Sequence, residues 1–338
     1  MIRPAIWLVP RTVAALLFAA LLVAGITGVT ASPGTWRAEG WKTDFSKRSV
    51  DFAEIISGGP PKDGIPPIDD PKFKPVKEIT DLEPQEPVIG LELGGEARAY
   101  PLRILMWHEI VNDEIGGVPV AVTYCPLCNT AIAFDRRLGD TVLSFGTTGK
   151  LRHSDLVMYD RQSESWWQQF TGEAIVGAHT GTELNIIPAR LESFALFRER
   201  HPDGHVLVPG NPRLRPYGQN PYVGYDSSGR PFLYRGDLPE GIEPMARVVV
   251  VNVEGEPHAV TLELLRQKRT MKIGDVELTW SEGQASAIDA STVAEGRDVG
   301  NVVAQRKDAS GDLVDVPYDV TFAFVFHAFH PQAAITKE

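Results

Sequence analysis

Val122-Thr-Tyr-Cys125-Pro-Leu-Cys128-Asn129-Thr-Ala-Ile-Ala-Phe134 holds both cysteines of the chain, and the residues on either side of them decide how it is read. A Cys-x-x-Cys pair is commonly half of a metal site, a redox dithiol or a short structural disulfide. In thioredoxin-like proteins the pair opens a helix whose dipole activates the thiol. Here the second cysteine is followed by Asn129-Thr-Ala-Ile-Ala-Phe134, which alternates like a strand and carries β-branched and aromatic residues. A Cys-Pro-x-Cys turn between two strands is closer to the knuckle of rubredoxins and zinc ribbons, with Asn129 suited to the left-handed conformation such a turn needs.

The same strand-and-turn grammar runs through the chain. Val88–Leu93 and Ala97–Tyr100 read as strands around Gly94-Gly95, and Val118–Tyr124 is an apolar strand leading into the cysteines. Pro101 with Leu102, Leu105, Met106, Glu109 and Ile110 predicts a helix running to Gly116-Gly117. On that helix His108 and Asn112 would lie one turn apart, as would Glu109 and Asp113. Ala131–Phe134 with Thr141–Phe145, and Leu156–Tyr159 with Trp166–Phe170, read as hairpins, and Arg190–Arg200 as a helix. The expected fold class is therefore α+β and β-rich: antiparallel strands and hairpins with a few short helices.

An internal echo suggests two copies of one unit, residues 88–210 and 246–338, within a single β-rich domain spanning 88–338. Gly95-Glu96 through Leu105 lines up with Gly255-Glu256 through Leu265, and Thr130-Ala131-Ile132 with Ser286-Ala287-Ile288. The cysteine positions then fall on Ser281 and Gln284, so the scaffold does not need sulfur there. Residues 32–87 are dense in proline and glycine, which forbids interior helix or sheet, yet Phe45, Phe52, Ile55, Ile65 and Phe73 recur through them. An extended arm lying on the body is expected.

Residues 1–31 place Arg3 and Arg11 before an apolar run that ends at Val29-Thr-Ala31, the pattern of a cleaved signal peptide and an extracytoplasmic protein. Contact with a membrane is expected only if that segment stays uncleaved. The formal net charge is −11, and without the segment's two arginines it is −13, a surface that repels nucleic acid and anionic lipid. At 43% hydrophobic residues, the chain can bury its own core without a disulfide staple.

Two thiolates fill half of a tetrahedral shell, and no second Cys-x-x-Cys exists to complete it. The expected metal ligands are Cys125, Cys128 and His108, with Met158 as a further one. Such a donor set suits copper or zinc, and the partner is then a metal or an unidentified small molecule. His108 and Glu109 are also the candidate general acid or base groups. They do not open a zinc protease motif, because Asn112 stands where the second histidine belongs. Phe145-Gly-Thr-Thr-Gly149 lacks the lysine of a phosphate loop, so no nucleotide cofactor is indicated. Asp155, Asp160 and Arg161 read equally well as an ion-pair network or a site. The other uses of the pair, a cycling thiol–disulfide protein or a binding module with a static Cys125–Cys128 disulfide, stay open.

Five segments together resemble one family: Ser57–Pro66, Arg98-Ala-Tyr-Pro-Leu102, His108-Glu-Ile-Val-Asn-Asp113, Val122–Cys128 and Ser154-Asp-Leu-Val-Met-Tyr-Asp-Arg161. It is the bacterial and archaeal family catalogued as Domain of Unknown Function three-one-seven-nine. The resemblance implies a secreted or membrane-associated protein, carries no activity with it, and argues against His153 and His327 as ligands.

Overall fold

The computed structural model describes residues 32–338; the signal-peptide reading of residues 1–31 lies outside them. The described chain is strand-rich, with short helices, as the alternating patterns require. In the first half Pro87–Leu93 and Glu96–Pro101 form a hairpin, followed by the helix Leu102–Leu105. Ile110–Ile115, Val118–Cys125 and Thr130–Asp135 then run antiparallel beside one another. Arg190–Ser193 returns onto Pro87–Leu93, the helix Phe194–Arg200 follows, and His205–Val208 joins Glu96–Pro101 in parallel.

The second half repeats this order. Arg247–Val253 pairs with Glu256–Thr261, the helix Leu262–Lys268 follows, and Thr270–Ile273, Val276–Ser281 and Asn301–Lys307 form the antiparallel set. Tyr318–Phe322 returns onto Arg247–Val253, the helix Ala323–Phe329 follows, and Ile335–Thr336 closes in parallel on Glu256–Thr261. Ser281 ends its strand as Cys125 ends its own. The echo then loses register, because Gln284 and Ser286–Ile288 sit in the loop before Asn301 and not in the strand equivalent to Thr130–Asp135.

The first half carries something the second lacks. A five-stranded antiparallel sheet of Ile55–Ser57, Phe145–Arg152, Asp155–Asp160, Trp166–Gln168 and Ala174–Val176 is set into it. The arm supplies its edge strand, and Trp36, Trp41 and Phe45 from the arm surround the fully buried Trp166 at ring-centroid distances of 4.8, 5.1 and 5.4 Å. Burying aromatic rings at this density contributes roughly 2–3 kcal/mol per side chain, which is why a proline-rich segment lies ordered on the body.

Three sequence expectations need correction. Ala131–Phe134 and Thr141–Phe145 do not pair as a hairpin: Thr130–Asp135 is taken up between Val118–Cys125 and Ile186–Ile187, Thr141–Val142 folds back only on Arg137–Leu138, and Phe145 begins a strand of the inserted sheet. The helix after Pro101 ends at Leu105, and Ile110–Ile115 is a strand paired with Val118–Cys125. Gly116 and Gly117, at φ 54° and 78°, form the two-residue turn joining them, so the Gly-Gly pair marks a hairpin and not a helix stop. His108 and Glu109 therefore lie in the turn, Asn112 and Asp113 in the strand, and no helix face relates them. Arg190–Arg200 likewise splits into strand Arg190–Ser193 and helix Phe194–Arg200, with Ser193 capping the helix by accepting from Leu196 N.

Candidate metal centre

The cysteine knuckle is tight. Cys128 N donates to Cys125 O at 3.2 Å, and Asn129 takes the left-handed conformation at φ 56°. The second half clamps the turn: Asn129 Nδ2 donates to Val320 O at 2.6 Å, and Thr321 Oγ1 donates to Cys128 O at 2.8 Å. Both cysteines are buried free thiols, and burial pushes both thiol pKa values up. The reactive thiolate of a thioredoxin-type dithiol has no support here, since a strand and not a helix follows Cys128.

The third member of the site is Asp155. Phe145–Arg152 turns into Asp155–Asp160 through His153 and Ser154, both left-handed at φ 56° and 65°. This is the mirror-type two-residue hairpin turn, made without the usual glycine at a strain of roughly 1–2 kcal/mol per residue. It delivers Asp155 to the knuckle: Cys125 Sγ, Cys128 Sγ and a carboxylate oxygen of Asp155 all lie within 4.8 Å of one another. Asp155 Oδ2 accepts from Gln168 Nε2 at 2.6 Å and from Phe170 N at 2.9 Å. Its Oδ1 is buried and, among the described residues, has no N–H or O–H partner. Burial raises the Asp155 pKa to about 6 against the pull of hydrogen bonds from Gln168, Phe170 N and the Cys128 and Cys125 thiols.

Around this trio stand two more buried carboxyls. Glu109, itself left-handed at φ 59°, has its pKa pushed up to about 8, by burial first and the Asp155 charge second. Asp319 is likewise raised to about 8 by burial, its Oδ1 accepting from Ala131 N and Val320 N. The 209–245 loop roofs the knuckle: Tyr225 Oη donates to Leu127 O at 3.0 Å, and Ser154 Oγ donates to Phe232 O at 2.7 Å.

His108, expected beside the sulfurs, is engaged elsewhere and is not one of the clustered ligands. Its Nδ1 lies 2.7 Å from Pro66 O, which can only accept, so Nδ1 carries the proton and Nε2 accepts from Tyr217 Oη at 2.8 Å. Burial lowers its pKa, in keeping with a neutral ring that ties the arm to the loop. Met158 is fully buried three residues beyond Asp155, in the apolar core that also contains both cysteines. Asn112 and Asp113 serve the scaffold. Asn112 exchanges hydrogen bonds with the Phe145 backbone, and Asp113 pairs with Arg98 and Tyr100. Asp155 carries a signal in the sequence, an acid heading the wholly apolar Leu156–Tyr159, but with Asp160 and Arg161 nearby it reads equally well as part of an ion-pair network.

Fold and centre together define a strand-rich α+β protein with a buried Cys/Cys/Asp cluster. The model of the family described as "Protein of unknown function (DUF3179)" matches residues 62–333, and the chain belongs to that family. No curated protein and no solved structure matches the chain.

Proposed function

We propose that this is an extracytoplasmic metal-binding protein in which Cys125, Cys128 and Asp155 hold the ion. The convergence of a buried carboxylate on two buried sulfurs carries the reading: the thiols of Cys128 and Cys125 are hydrogen-bonded to Asp155, and an ion replacing their protons would be held by all three groups. Two thiolates and a hard carboxylate oxygen favour zinc over copper(I), which prefers sulfur throughout. Three protein ligands leave a fourth position, the count typical of catalytic zinc. Glu109, whose carboxyl and that of Asp155 sense one another, is the candidate acid–base group beside it. The extracytoplasmic setting rests on the signal segment read from residues 1–31.

A dithiol role has one observation in its favour, two free sulfurs within 4.8 Å. One experiment separates the two: metal content and thiol titration on protein purified from its native compartment. The metal reading expects one zinc per chain, lost in Cys125→Ser and Asp155→Asn and retained in His108→Ala. A metal-free protein whose cysteines interconvert between thiol and disulfide overturns it and establishes the redox reading.

A further inference from the structure

A groove of about 350 Å³ runs between the two halves of the molecule, beside the strand that follows the knuckle. Ala131, Ala133 and Ile187 line it from the first half, Val250 and Tyr318 from the second, and Phe170 from the inserted sheet. At roughly 30 Å³ per water-sized group, it has room for about ten such groups, the scale of a small organic ligand.

Its acids have no basic counterpart. Glu173, Glu183 and Asp319, the last held protonated up to about pH 8 by burial, line it; no lysine or arginine does among the described residues. His330 also lines the groove, and burial lowers its pKa, so it brings no compensating charge at neutral pH. Asp319 repeats the oddity of Asp155. One carboxylate oxygen accepts two backbone N–H groups, while Oδ2 is buried and, among the described residues, unpartnered.

We propose that this groove is a ligand site for a small, largely apolar organic amine, its ammonium group bound by Asp319 and its hydrocarbon part lying between Phe170, Ile187 and Val250. Apolar walls remove the hydrocarbon from water, and the acids, with Asp319 releasing its proton to solvent as the ammonium seats, select a cation over an anion of the same shape. The site stands on residues other than the metal ligands, so it can be tested separately from the centre.

Calorimetric titration of the full chain with 2-phenylethylamine and n-hexylamine, with phenylacetate as the anionic counterpart, tests it. Saturable binding of at least one amine at one per chain is expected, with phenylacetate at least tenfold weaker. Asp319→Asn keeps the acceptor for Ala131 N and Val320 N and should weaken the amine at least tenfold. Ala189→Trp, at the half-exposed groove wall, should block the amine without touching Asp319, and serves if the first variant fails to fold. Amine binding that survives chelator and Cys125→Ser supports the groove; binding lost with the metal moves the amine to the metal centre and overturns the proposal. No saturation by either amine, or equal affinity in both variants, also overturns it.

Discussion

A carboxylate oxygen of Asp155 lies within 4.8 Å of the Cys128 sulfur, although the two are 27 positions apart in the chain. The contact is made by two turns that both use left-handed non-glycine residues, Asn129 in one and His153-Ser154 in the other. Backbone strain at both entrances to one small cluster is the pattern expected of a site that the surrounding structure over-determines.

Asp155→Asn should retain the hydrogen bonds from Gln168 and Phe170, because an amide oxygen accepts as Oδ2 does, and the variant should fold. Its zinc affinity should fall by more than the roughly 10–100-fold that loss of an outer-shell partner costs. Competition against a chromophoric chelator measures this, and unchanged affinity would remove Asp155 from the ligand set.

Zinc should also stabilise the fold. At a free concentration 1,000 times its dissociation constant, a ligand specific for the folded state adds about 4 kcal/mol. Thermal unfolding with and without a chelator reads this out as a fall in Tm on metal removal, and coincident curves would count against a site formed only on folding.

The metal-free protein should lose stability as pH rises from about 4 to about 8. Glu109 and Asp319 have folded pKa values near 8, raised above those of the unfolded chain. The folded state therefore holds protons that the unfolded state releases, and stability falls across that interval and levels above it. Asp319→Asn removes one of the two groups, so its Tm should decline less steeply over the same interval; parallel profiles would show that Asp319 ionises freely.

Tyr225→Phe deletes the hydroxyl that donates to Leu127 O and accepts from Phe232 N. The lost bonds are worth about 1 kcal/mol each, too little to unfold the domain but enough to loosen the roof over the knuckle. The metal-free variant should react faster than the parent with an aromatic disulfide thiol reagent, while global stability changes by about 2 kcal/mol or less.

Trp36→Ala tests the arm. Trp36 is 2% exposed and packs on Phe45, Phe52 and Trp166. Its truncation should cost about 3–5 kcal/mol in denaturant unfolding. A loss below about 1 kcal/mol would mean that the arm docks without contributing to the core.

Local pattern determined a good deal of this protein. The apolar run Val118–Tyr124 and the alternation in Asn129–Phe134, with a proline turn between them, were enough to place both cysteines in a strand-turn-strand knuckle, and the same grammar made the chain β-rich. The hairpin Leu156–Tyr159 with Trp166–Phe170 was legible for the same reason, since each strand pairs with a neighbour a few residues away. His108 to Asp113 was not, because apolar residues at three and four spacing also fit a strand buried on both faces, and only the Gly116-Gly117 turn separated the two readings.

What tertiary structure alone decided is which side chains meet. Asp155 reaches the sulfurs through a strained turn in a sheet inserted between the knuckle and the end of its own half, and Asp319 reaches Ala131 from the other half of the chain. Sequence spacing carries no trace of either distance, because both depend on how separately formed sheets pack. His108 shows the converse: its proximity to the cysteines in sequence made it the natural ligand, and the folded chain turns both its nitrogens to Pro66 and Tyr217. A Cys-Pro-x-Cys turn can be read one residue at a time, but the donors that complete its coordination are set by packing.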